Sequence, residues 1–151
     1  MREVFKTIKG FLSSGELEPE EVIIQCEVAI RIGGIGLDFD LLKNTFETEP
    51  TVVHTRGDRK GKLVFEDDMW LYKSTDAISE MRPMEEHLNH VNNVFLPHCV
   101  FLKRLNQTGN VKLYCDYLTN LDTSGIKIPL SRFAIYDQLK IPFEITFGYL
   151  G

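Results

Sequence analysis

Hydrophobic positions along this chain switch between a period of two and a period near four, and the switches outline its elements. Across residues 22–32, Cys26, Val28, Ile30 and Ile32 alternate with Glu27 and Arg31. That is the pattern of a strand buried on one face and wet on the other, as in an antiparallel sheet covered by helices on one side. The turn Gly33-Gly34-Ile35-Gly36 follows, and Asp38 suits the N-cap of a helix reaching about Glu47, with Phe39, Leu42 and Phe46 as its apolar stripe. After Pro50 the pattern predicts a strand over 51–55, a charged loop, and a strand over 69–73. Pro83 opens a helix whose buried side is marked by Leu88, Val91, Val94 and Phe95. Pro97 cannot continue it, so 98–105 reads as a separate short helix.

Gly109-Asn110 is a turn signal before an alternating strand of Val111, Leu113, Cys115 and Tyr117. Ser131 is placed to cap a helix using Phe133, Tyr136 and Leu139, and Phe143, Ile145 and Phe147 form a closing strand. Strand–helix–strand thus occurs twice, early and late, with no residue-level repeat joining the halves. The predicted architecture is one α+β domain over residues 1–151, a mostly antiparallel sheet with helices on one face, as in a ferredoxin-like sandwich. Val4, Phe5, Ile8, Phe11 and Leu12 add an N-terminal amphipathic helix within residues 1–20, packed on the body and joined to it by an acidic connector.

Charge narrows the classes of partner. The net charge of −5 repels a phosphate backbone, which argues against nucleic acid. No apolar run approaches the ~18 residues of a membrane span. Cys26, Cys99 and Cys115 are odd in number, far apart and set in apolar sequence. They read as buried thiols of a cytoplasmic protein rather than disulfides or a metal site.

Three constellations invite chemistry, and each has a plainer account. Gly33-Gly34-Ile35-Gly36 lies where a phosphate loop would, but position 39 is Phe instead of a third glycine, and Asp38 puts negative charge at the helix start. A tight turn followed by an N-cap accounts for the same residues. His87 and His90 lie three apart on one helix, yet zinc needs further ligands. Because Leu88 and Val91 mark the buried stripe, both histidines are expected to face water. His98 next to Cys99 points a different way along its helix, and no nucleophile elbow surrounds Ser74 or Thr75. No metal or other cofactor is predicted.

The densest cluster is 50–74, which holds the only Trp and the run Arg56-Gly-Asp-Arg-Lys-Gly-Lys62, four cations with one anion, followed by Glu66, Asp67 and Asp68. It reads as a β-hairpin whose arms carry opposite charge and pair across the strands. The candidate site residues are His54, Arg56, Asp58 and Trp70, with Trp70 as either an interface anchor or core filling.

From about Cys26 to the C-terminus the order of motifs resembles the bacterial domain-of-unknown-function family 4279 (DUF4279). The matching features are a helix ending in Glu49-Pro50, then Gly57-Asp58, a Trp strand closing on Ser (Trp70, Ser74), the His87-Leu88 helix, and a terminal strand–helix–strand. The resemblance implies a small cytosolic bacterial α+β domain and supplies no substrate, cofactor or catalytic residue. The expected function is non-catalytic binding of a protein partner or a small anionic ligand. One form of it is an immunity-type protein whose acidic surface masks a basic toxin. The competing class is a small-molecule enzyme with a pocket lined by His54, Asp58 and Trp70.

Overall fold

Strand β1 (Ile24–Gly34) is the axis of the molecule, eleven residues long and paired on both edges. The computed structural model describes residues 22–121, 128–141 and 143–149; the N-terminal amphipathic segment and its acidic connector lie outside them. Helix α1 (Phe39–Phe46) follows β1 as the pattern predicts, with the Asp38 carboxylate accepting from the Leu41 N–H at 2.9 Å. Glu47 ends it in the left-handed region at φ 52°. Next come β2 (Val52–His54), a two-stranded hairpin of β3 (Arg59–Lys60) and β4 (Leu63–Val64), and β5 (Asp68–Lys73). Helices α2 (Met84–Phe95) and α3 (Cys99–Thr108) are separated by a 3-10 turn at Leu96–His98, where Pro97 breaks the α-helical ladder. Strand β6 (Asn110–Thr119), helix α4 (Ala134–Leu139) and β7 (Phe143–Tyr149) complete the fold.

The five-stranded sheet runs β2-β5-β1-β6-β7. Its first four strands are antiparallel and stand in the ferredoxin-like order, with β5 inserted between β1 and β2. Strand β7 is added in parallel beside β6 after the crossover through α4. Ser131 does not cap that helix; it sits inside a 3-10 turn at Leu130–Phe133 that leads into α4.

The helix-covered face carries Val28, Ile30, Ile32, Trp70, Tyr72, Leu113 and Cys115, all buried and packed on Leu42, Phe46, Leu88, Val91, Phe95 and Leu102. A buried aliphatic or aromatic side chain contributes about 1.5–3 kcal/mol, so this layer dominates stability. All three cysteines are buried. Burial pushes the Cys26 thiol up to about 11 and the Cys115 thiol up to about 12, which keeps both protonated and weak as nucleophiles.

The register separates two residues that the sequence placed together. Val53 pairs with Trp70, whereas His54 pairs with Met69. Neighbouring strand positions face opposite ways, so Trp70 points into the helix layer and His54 points to the other face.

Candidate functional site

The β3–β4 hairpin stands outside the five-stranded sheet, inserted between β2 and β5. Two strand pairs, Arg59 with Val64 and Lys60 with Leu63, hold it, closed by a loop whose first residue, Gly61, has φ 63°. Backbone bonds Gly57 N–H to Phe65 O (2.8 Å) and Phe65 N–H to Asp58 O (3.0 Å) extend the ladder toward its base. The expected acid–base pairing across the arms is not what forms, because the residues opposite Arg59 and Lys60 are apolar. Among the described residues no carboxylate lies within ion-pair distance of Arg56, Arg59, Lys60 or Lys62.

So small a hairpin is marginal alone, and its base is where it is fixed. The Asp58 carboxylate accepts from the Thr55 N–H at 2.8 Å. His54 lies flat on Phe65, ring centroids 3.8 Å apart and nearly parallel. Asp68 does the most. One carboxylate oxygen accepts from the Arg56 N–H at 2.7 Å, the other from Gly36 and Leu37 N–H at 2.7 and 3.0 Å. This one buried side chain therefore joins β5, the hairpin base and the β1–α1 turn. The Arg56 amide, then that of Leu37, holds its carboxyl below the usual carboxylate value, assisted by Gly36 and the Arg56 charge. Stability from this ionised group is present above the ordinary carboxylate range and lost as pH falls through the lowered folded value. Asp68→Ala is expected to lower the urea midpoint at pH 7. It should also speed hydrogen exchange at the amides of Gly36, Leu37 and Arg56 together, while the β1–β6 amides keep their relative protection.

Of the four candidate residues, Arg56 and Asp58 are exposed, His54 is half-buried, and Trp70 has no exposed surface. Trp70 contacts Phe46, Phe95 and Tyr72 at centroid distances of 5.5, 6.1 and 6.3 Å. It is core, with no surface to offer a partner.

A second constellation is internal, and the helical pattern misassigned it. His87 does not face water; it is 0% exposed, and His90 is half-buried. Ser74, at the end of β5, lies 2.7 Å from His87 Nδ1 and accepts from the Val28 N–H at 2.9 Å. Two residues earlier, the Tyr72 hydroxyl lies 2.6 Å from His90 Nε2. Tyr72 of β5 and Ser74, the first residue after it, thus meet the i+3 and i histidines of α2, docking helix to sheet through hydroxyl–imidazole bonds. Desolvation lowers the pKa of both histidines, against the pull of the Ser79 and Arg82 carbonyls and of Glu86 and Glu27 at His87. With Ser74 and His87 both sealed, this pair holds the fold together and is closed to substrate. No group of three metal-ligating side chains occurs among the described residues.

No curated protein and no solved structure matches the chain. The model of the domain of unknown function DUF4279 matches residues 24–148. Ser74 and His87, two marks of that resemblance, meet in the buried junction between the end of β5 and α2, and Trp70, a third, packs on Phe95 of the same helix, so these marks are core positions of the fold. The chain belongs to the DUF4279 family.

Proposed function

We propose that this protein is a non-catalytic binding domain whose β3–β4 hairpin engages a protein partner. The observation that carries the proposal is the hairpin's surface. Leu63 and Val64 are 56% and 45% exposed beside Arg59, Lys60 and Lys62, which have no acidic partner among the described residues. Lys60 stands across from Leu63 on one side of the hairpin and Arg59 across from Val64 on the other, so each side offers an exposed apolar side chain beside a cation, which suits a partner patch that is acidic around an apolar pocket. In a chain of net charge −5 the hairpin is a local exception. A masking role of the immunity type would therefore combine a basic contact at the hairpin with acidic surface elsewhere. The competing enzyme reading loses its pocket, since His54 and Trp70 lie on opposite faces of the sheet and Asp58 caps a backbone amide.

The test is affinity capture from the native lysate with wild type and with the triple variant Arg59→Glu, Lys60→Glu, Lys62→Glu. A stoichiometric protein is expected on wild type, released by salt and bound at least tenfold more weakly by the variant. Equal capture by a folded triple variant would place the contact elsewhere. Leu63→Asp is expected to weaken the same complex without changing its salt dependence.

A further inference from the structure

At the far end of β1 the sheet face that carries no helix among the described residues opens into a cleft of about 250 Å³. Its wall is formed by Arg31, Ile35, Asp67, Thr108 and Asn110, and its floor by the glycines at 33, 34 and 109. Arg31 is unusual in that setting. Its Nε is closed off from solvent with no hydrogen-bond partner, and no carboxylate among the described residues forms an ion pair with it. Directly opposite on β6 stands another cation, Lys112, whose amine lies 3.7 Å from Glu144 on the next strand. Glu144 meets the Lys112 charge, so it is the unpaired Arg31 guanidinium that favours an anion in the cleft.

The space for that anion comes from Gly33. A Cβ there would sit 3.9 Å from Arg31 Nη2 and 3.8 Å from the Asn110 and Asp68 carbonyl oxygens, in ordinary contact, so the missing side chain is what leaves the guanidinium facing an open floor. Gly33 has no positive φ that would require glycine. Gly109 differs, because a Cβ there would lie 2.4 Å from the Gly33 carbonyl oxygen. Its bareness lets the α3–β6 turn close on β1 and form the far wall. Asp67 sets the selectivity. A polyanion meets like charge on that side, whereas a ligand with one carboxylate and one donor satisfies both ends.

We propose that this cleft binds a small amino-carboxylate, its carboxylate on the Arg31 guanidinium and its amine toward Asp67. The planar fork of arginine matches a carboxylate through two parallel hydrogen bonds. The site is separate from the hairpin's exposed face and stands whether or not the hairpin binds a protein.

The test is an amide NMR titration of the full chain with L-glutamine, sodium acetate and sodium phosphate at constant ionic strength. L-glutamine is expected to give saturable shifts centred on Gly33, Gly34, Gly109 and Asn110, at least fivefold tighter than acetate. Arg31→Gln and Gly33→Val should each weaken it at least tenfold, one by removing charge and the other by removing space. Asp67→Asn should abolish the preference for L-glutamine over acetate. Absence of saturation with all three probes overturns the site, and tighter binding of phosphate overturns the ligand class. Unchanged binding by Gly33→Val overturns the placement even if Arg31→Gln fails to fold.

Discussion

Trp70→Ala is expected to destabilise the domain by about 3–5 kcal/mol, a large fraction of the 5–15 kcal/mol that holds a typical domain together. The indole has no exposed surface and fills the space between β5 and the rings of Phe46 and Phe95. Removing it leaves a cavity lined by aromatic groups that can collapse only partly. Trp70→Phe should cost much less. It keeps most of the ring contacts and removes the indole Nε1–H, which is buried without a hydrogen-bond partner among the described residues. The comparison also separates core from contact. A true interface anchor would lose partner binding in both variants at unchanged stability, whereas Trp70→Phe is expected to bind as wild type. Urea unfolding of the two variants, with affinity capture from the native lysate by wild type and Trp70→Phe, reads both quantities.

Alternation and caps make the frame legible in the sequence alone. The period of two in 22–32, the Asp38 cap and the Pro97 break each correspond to an observed feature, because each is a local property of the chain. What sequence could not show is how strand register distributes side chains between the faces of the sheet. His54 and Trp70 sit on the two predicted strands that flank one charged loop and look like neighbours across them, yet one pairing step sends them to opposite faces. The same blindness hid His87. A histidine between two glutamates and a leucine looks solvated, and only the arrival of Ser74 from β5 gives its ring a buried partner. The spacing Tyr72–Ser74 against His87–His90 was the available signal, period two on a strand facing i,i+3 on a helix. The Arg31 cleft was likewise out of reach, since it depends on β1, the start of β5 and the α3–β6 turn meeting at one rim.

Ser74→Ala should therefore cost more than an ordinary serine deletion. The hydroxyl serves two buried groups, the Val28 amide and His87 Nδ1. Orphaning a buried polar group costs about 1–3 kcal/mol, and this change orphans two at once. The same junction makes the fold sensitive to mild acid. Burial lowers the pKa of His87 below its ordinary 6.5, ahead of the opposing pull of the Ser79 and Arg82 carbonyls and of Glu86 and Glu27, and His90 beside Tyr72 moves the same way. The unfolded chain therefore takes up these protons before the native state does. Stability is present in full above about pH 6.5 and declines as pH falls from there toward the lowered folded values. Asp68 acts only further down, below the carboxylate range. Urea midpoints at pH 7.5 and 5.5 are expected to differ clearly for wild type and less for His87→Asn, whose amide oxygen can still accept from Ser74 but cannot titrate. An undiminished difference in His87→Asn would move the acid sensitivity to His90 or away from this junction altogether.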